Sequence, residues 1–420
     1  MTQNSAQKGI YPGWWIVVAS FFLMAVIFTA AINLPGLWAT YVAEDFGIQR
    51  SAFTAHITIS TLSSMVAALF VGKLFQKYNV KVLMLIFAAL AFAGFMGYSF
   101  ATRIWQFYVI SVVVGFCFMF LTSVPISILI TNWFGPKMKG KAMGIAMTGS
   151  GVGAMILSPV VMHINSTYSW RVSYRMYAVM VLVIIIPLIL FAVVKSPADK
   201  GVARIGDDPN TAQASKDAAF GLSAKQALSS YLFWLMFFTF FLFAMTTTLF
   251  NINVAPYMTD IGINPMNIGA YVSISSLGVI VGKLALGAIG DKWSARVGAT
   301  SAVCSMILAL VLLLCLPNML FLAPAATLFF GLGNANATVN MPLITSDMVG
   351  NRDFGAIFGY ASVASSLGAG VGPIVGSLIF DFTGSYAGAW GSDIALMALM
   401  GVGVHVCYKL KPAVHAKIAV

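Results

Sequence analysis

Charge is what this 420-residue chain lacks: Asp, Glu, Lys and Arg together make up 8% of it, against about a quarter in a soluble domain. So few charges cannot cover a water-facing surface, and with 60% hydrophobic residues the chain reads as a polytopic membrane protein. Acid is the scarcer charge, with 12 Asp and Glu against 23 Lys and Arg. The four cysteines, Cys117, Cys304, Cys315 and Cys407, all fall inside apolar stretches without metal-type spacing. They therefore imply neither a disulfide framework nor a zinc site. The four histidines are scattered rather than clustered with acids, which argues against an intramembrane enzyme. No cofactor or metal is implied.

What the chain has is apolar length. Stretches of about 20 residues, enough to cross a bilayer, run over 13–38, 51–72, 80–100, 104–131, 139–161, 172–194, 230–255, 267–289, 296–316, 319–345, 355–380 and 387–408. Such lengths mean helices rather than a barrel, so the expected fold is an all-α membrane protein with twelve transmembrane helices. The first stretch follows a polar leader without a small-residue cleavage pattern and reads as a retained helix.

The net charge of +11 invites a nucleic-acid reading until it is sorted by loop. Eighteen of the 23 Lys and Arg lie in alternate loops and the two tails, including Lys73, Lys77, Lys81, Lys137, Lys139 and Lys141. Only Arg50, Arg103, Arg171 and Arg175 lie on the other side. That asymmetry is the positive-inside rule, and it predicts both termini in the cytoplasm and no nucleic-acid partner. One cation, Lys283, belongs to neither side. No Asp or Glu is expected in the core of any crossing segment.

The two halves share one register. An offset of 215 residues pairs Asp45 with Asp260, Gly47 with Gly262, Gly72 with Gly287, Lys77 with Lys292, Gly135 with Gly350, Gly144 with Gly359 and Gly153 with Gly368. Common composition alone does not produce a shared offset, and small residues at fixed places let helices approach closely in lipid. Two pseudo-symmetric six-helix bundles are predicted, residues 1–194 and 230–420, joined by a Pro- and Gly-punctuated cytoplasmic linker at 195–229.

Three motifs point to a family. The loop Gly287-Ala-Ile-Gly-Asp291-Lys292-Trp-Ser-Ala-Arg296, with its repeat partner from Gly72 through Gln76 and Lys77 to Lys81, resembles the Gly-x-x-x-Asp-Arg/Lys-x-Gly-x-Arg/Lys loop of the major facilitator superfamily. Gln76 and Asn79 depart from that pattern in the first half. The stretches Asn132 to Gly153 and Gly350 to Gly376, and Tyr-Pro-Gly-Trp-Trp at Tyr11, look like its bacterial monocarboxylate-transporter-like branch, near the oxalate/formate exchangers. The resemblance implies alternating access between two bundles, with Asp291, Lys292, Arg296 and Lys77 as a conformational latch. It also implies a cation in the eighth segment, four residues before the loop glycine, that binds the substrate carboxylate. That position is Lys283. Relatives usually carry arginine there, and the aspartate found one turn earlier in proton-coupled relatives is Val279 here.

Eight residues separate Lys283 from Asp291, which places it about 12 Å inside the helix end. A charge at that depth normally faces a bundle interior or a watery cavity, and a lysine stem covers such a distance poorly if it snorkels instead. The repeat partner is Ala68, so the charge belongs to one half only. With no acid nearby, its expected partner is an anionic substrate, a small monocarboxylate.

Asn334, Asn336, Thr338 and Asn340 in the tenth segment offer amide and hydroxyl groups on two different faces, with hydrogen bonding between helices as the alternative role. Asn33, Phe118, Phe120, Ser362, Ser365 and Ser366 are further candidate lining groups, with packing as the alternative. Lys283 and His56 are candidate proton sites, although His56 and His163 also read as interfacial polar residues.

The expected function is secondary transport of a small organic anion. The chain lacks a Gly-x-x-x-x-Gly-Lys-Ser/Thr phosphate loop, so the energy comes from a gradient. Proton symport is what the resemblance implies, and anion exchange or, further off, efflux of other small molecules are the alternatives. A monomer in a bacterial plasma membrane is expected.

Overall fold

A computed structural model describes residues 11–134, 136–194, 197–200, 202, 205, 222–350 and 354–418. Hydrocarbon offers backbone groups no water, so each apolar stretch satisfies its own N–H and C=O groups as a helix. The first crossing joins α1 (Gly13–Leu23), a π-helical stretch (Met24–Asn33) and α2 (Gly36–Phe46). It is followed by α3 (Arg50–Lys77), α4 (Val80–Phe100), the pair α5 (Ile104–Leu121) and α6 (Ser123–Trp133), and α7 (Pro136–Thr167). The half ends with α8 (Trp170–Met180), a second π-helical turn and α9 (Ile186–Ala192).

After the short α10 (Ala224–Leu228), the second half runs through α11 (Tyr231–Asp260), α12 (Pro265–Lys292) and α13 (Ala295–Cys315). The broken pair α14 (Ala323–Asn334) and α15 (Asn336–Val349), then α16 (Phe354–Thr383) and α17 (Ala387–Ile418), complete it. Among the described residues ten helices are long and apolar enough to cross a membrane. The polar-studded α3, 28 residues long, and the broken α14–α15 segment make up the twelve expected crossings. Most of the expected linker lies outside the described residues. At its end Ser223 and Gln226 cap α10 reciprocally, and the Leu222 N–H donates to the Val349 carbonyl at 2.8 Å.

The sequence repeat has local physical causes. Gly47 and Gly262 both adopt left-handed backbone, with φ of 62° and 80°, where a side chain would be strained; each ends a helix and turns the chain into the next. Asn79 and Ser294, another pair at the same offset, cap α4 and α13 with their side chains. Gly153 lies against the Ala25 backbone and Gly368 against the Phe241 backbone, so a Cβ at either would collide with a carbonyl. In each half the glycine-bearing helix, α7 or α16, thereby rides directly on that half's first crossing.

The halves meet along two main seams, α3 with α16 and α7 with α12, supplemented by α2 against α11. In the first, Thr58 Oγ1 donates to the Gly370 carbonyl at 2.5 Å and Thr54 Oγ1 to Ser377 Oγ at 3.2 Å. In the second, Ser158 Oγ donates to the Gly269 carbonyl at 3.1 Å and Ser273 Oγ to the Met155 carbonyl at 2.6 Å. These bonds between the halves lie toward the end of the molecule that carries Arg50 and Asp260, whose own pair also crosses the seam. Toward the opposite, lysine-rich end the seams part. Gly144 on α7 and Gly359 on α16, themselves a repeat pair, have no atom of the described residues within 4 Å of where a Cβ would stand.

Asp393 corrects the expectation that no acid enters a helix core. It lies two turns into α17, is 1% exposed, and has no hydrogen-bond partner for Oδ1 among the described residues. It falls on the buried stripe of Tyr386, Trp390, Met397 and Met400, at helical spacing.

Candidate functional site

Lys283 is placed by the two faces of α12. Gly278 and Gly282 press against the α14 backbone at Leu328 and Leu332, which removes any room for a side chain on that face. The other contacting line steps through Gly269, Ser273, Ser276 and Ile280 at intervals of three and four residues, and it confronts α7. Three residues past Ile280, the same line reaches Lys283. On this line Ile280 lies 3.0 Å from where a Gly151 Cβ would stand. Two turns from Gly151 toward the lysine-rich end, Gly144 of α7 has no described atom within 4 Å of where a Cβ would stand. Lys283 therefore sits half-buried at the top of the opening, nine residues from the end of α12. It makes no ion pair or hydrogen bond with any described residue.

Several candidate residues reach the same level. Asn33, at the end of the π-helical stretch, donates from Nδ2 to the Ser150 carbonyl at 3.1 Å, beside Gly151, and Thr29 Oγ1 shares that carbonyl. Phe118 packs on Phe28 of that stretch with ring centroids 5.6 Å apart. On α14, Asn334 continues the line of Thr327 and Phe330; Phe330 stacks on Phe250 of α11 at 3.6 Å. Asn334 is half-buried and lies next to Ala335, which packs on Gly282, one residue before Lys283. Ser366 lies one turn along α16 from Gly370, the glycine that meets α3. Its hydroxyl bonds back to the Ser362 carbonyl, as that of Ser362 does to Phe358.

Other candidates point elsewhere. Phe120 is 1% exposed and stacks on Phe87 at 3.9 Å within the first half. Asn340 is fully buried against Gly298 of α13, and Asn336 is fully buried as well. Neither amide has a partner among the described residues. Ser365 turns toward the Met341 sulfur, 3.9 Å away. The side chain of Thr338 lies outside the described residues.

The same holds for the side chains of Asp291 and Lys292 in the expected latch. Lys77 and Arg296 are exposed at the lysine-rich end, Lys77 over the Tyr78 ring at 5.4 Å. Tyr408 of α17 donates to Asp347 at 2.8 Å at the end of α15, a polar tie that the sequence did not single out. His163 is exposed.

His56 is not interfacial. It is 6% exposed, packed against Phe53, Tyr98 and Phe107, with Nδ1 bonded to the Phe53 carbonyl. With Ala31, Ser60, Tyr98 and Tyr174 it borders a cavity of about 30 Å³, room for a water molecule.

Twelve crossings in two matching halves, a seam tied toward one end, and a half-buried lysine unpaired among the described residues on that seam's line describe a helical membrane carrier. The chain belongs to the Major Facilitator Superfamily, whose family model matches residues 17–299 and 236–418. It is a family of transporters, not enzymes. Among curated proteins, the chain is 25% identical over 423 residues to monocarboxylate transporter 12-B of Danio rerio, covering 92% of this chain and 86% of that one. It is 24% identical over 410 residues to human monocarboxylate transporter 12, covering 90% and 77%. Among solved structures, the nucleoside transporter NupG (D323A mutant) superposes with a TM-score of 0.77 over 95% of this chain and 100% of that one, at 11% identity. A bacterial homolog of the human lysosomal transporter Spinster, in an inward-facing and unoccupied conformation, gives 0.69 over 97% of each chain at 13% identity. These structures share the fold.

Proposed function

We propose that the chain carries a small monocarboxylate across the membrane by alternating access, with Lys283 as the cation that receives the carboxylate. The observation that carries this reading is the placement of Lys283: an unpaired ammonium on the seam-facing line of α12, where the seam opens. The distant similarity to monocarboxylate transporters supports the substrate class. Residues 1–194 and 230–420 act as the two rocking bundles, with 195–229 as linker. The lysine-rich end faces the cytoplasm of a bacterial plasma membrane by the positive-inside rule, so the described conformation is open inward, and the chain works as a monomer. Asn33 and Asn334 are the neighbouring amides proposed to hold the rest of the substrate. Asp291, Lys292, Arg296 and Lys77 are proposed as the latch of the opposite, outward-open state.

Coupling follows from the same ammonium. An empty carrier that closes both ends must seal an unpaired cation into the seam, which is costly, whereas a loaded one seals a neutral pair. Two routes avoid the cost: return with a second anion, which makes an exchanger, or release of the lysine proton, which makes a symporter. His56, buried beside its small cavity, is the candidate relay for the second route. In vesicles, uptake driven by outside acid with no internal anion supports symport. Uptake that requires an internal monocarboxylate supports exchange.

A panel of small carboxylates against the purified protein identifies the ligand, because specific binding to the folded state raises its melting temperature. The same panel against Lys283→Ala is expected to give no shift. A carboxylate that shifts both proteins equally contradicts the assignment.

A further inference from the structure

Asp45 and Asp260 occupy equivalent positions in the two halves, yet their arginines come from different places. Asp45 is paired within its own half: Arg171 of α8 donates to Oδ2 at 2.7 Å. The residue equivalent to Arg171 at the 215-residue offset is Tyr386, which carries no charge. Asp260 therefore has no own-half arginine at that place, and it takes Arg50 from across the seam. The guanidinium grips both carboxylate oxygens, at 2.5 and 2.6 Å, the fork-to-fork geometry that makes arginine the strongest carboxylate receptor among side chains.

The rest of the setting also comes from the second half. Phe380 of α16 lies under the guanidinium at 4.5 Å, Tyr386 just before α17 accepts a further bond at 3.5 Å, and the Ser51 N–H donates to Asp381 at 3.2 Å. Arg50 and Asp260 are 13% and 29% exposed, shielded enough for the pair to outlast salt screening. Everything that holds Arg50 stands on the half that must move away when this end opens.

We propose that the Arg50–Asp260 pair is the outer latch of the carrier and that Arg50, once released, is the first carboxylate contact for an anion entering from that side. The Asp260 carboxylate occupies the place the substrate carboxylate takes. Exchange of one for the other replaces an internal pair with a ligand pair, so an arriving carboxylate lowers the cost of opening, and a neutral solute does not. This rests on the carboxylate reading above for its ligand class, while the latch itself does not.

The test uses full-length protein in lipid nanodiscs, where both faces are open to reagents, with Cys304 and Cys315 changed to Ser and Thr54→Cys introduced in the seam. Maleimide labelling of that cysteine is expected to rise several-fold in both Arg50→Gln and Asp260→Asn, and to stay unchanged in Asp45→Asn, whose pair lies within one half. Unchanged rates in both seam variants overturn the latch. In the Asp260→Asn protein Arg50 remains but its internal carboxylate is gone. Its modification by phenylglyoxal, read by mass spectrometry of the Arg50 peptide, is expected to slow several-fold with millimolar lactate or pyruvate and not with equal chloride. A rate indifferent to carboxylates overturns the capture role. Neither readout requires transport, so a failed uptake assay at Lys283 leaves both arms standing.

Discussion

Lys283 and Asp393 are both single ionisable groups inside a helix, and their surroundings separate their roles. Lys283 is half-buried on the seam-facing line of α12, without an ion pair or hydrogen bond to any described residue. Asp393 is sealed into the α17 core stripe with Oδ1 unpartnered, a place where a carboxylate's loss of water is not repaid. Asp393→Leu is therefore expected to raise the melting temperature of the detergent-solubilised protein; a lower value would show that the carboxyl makes a bond that holds the bundle. Phe120 gives the opposite sign. Deleting its ring, stacked on Phe87, leaves a cavity, so Phe120→Ala should cost about 3–5 kcal/mol, read by thermal or denaturant unfolding, while ligand affinity of the surviving folded protein is unchanged. The sequence disclosed Lys283 because a lysine in an apolar run stands out whatever its orientation. It concealed Asp393 because an acid two turns from a segment's start resembles a loop residue, and it could not choose between the faces of Asn334 and Asn340, since the choice depends on which helix lies alongside.

At the scale of the helix, glycine decides what may move. Gly153 and Gly368 carry backbone of another helix directly on them, and Gly144 and Gly359 face open space. Gly153→Leu or Gly368→Leu should force apart α7 from the first crossing or α16 from α11, with the destabilisation of an overpacked core, about 1–3 kcal/mol or more. Gly144→Ala and Gly359→Ala should leave the described conformation intact. Fluorescence-detected size exclusion after heating ranks the four variants, and equal losses in all would refute the contrast. The crossings themselves were legible from hydropathy, and the glycine pairs from their common offset. The π-helical stretch at Met24–Asn33 and the break at Ala335 were not, because apolarity is indifferent to which carbonyl each N–H finds. Both irregularities lie next to candidate groups, Asn33 in one case and Asn334 in the other.

For the whole molecule, closure at one end and separation at the other follow from unequal ties: a seam of hydroxyl–backbone bonds with a bidentate ion pair at its Arg50 end, and space at the lysine-rich end. In the proposed cycle, exchange of the two states moves Lys283 from one aqueous side to the other. If a sealed empty carrier is disfavoured by its bare ammonium, preloading vesicles with an unlabelled monocarboxylate should speed uptake of the labelled one many-fold; equal rates from empty and loaded vesicles at fixed pH would argue against that penalty. The most direct test of the account is uptake of a monocarboxylate that stabilises the wild-type protein, compared between wild type, Lys283→Arg and Lys283→Ala in proteoliposomes at matched amounts of folded protein. Arginine should preserve uptake in part. Alanine should lower it at least about thirtyfold, the consequence of removing one partner from a buried charge pair; wild-type uptake by Lys283→Ala would contradict the account.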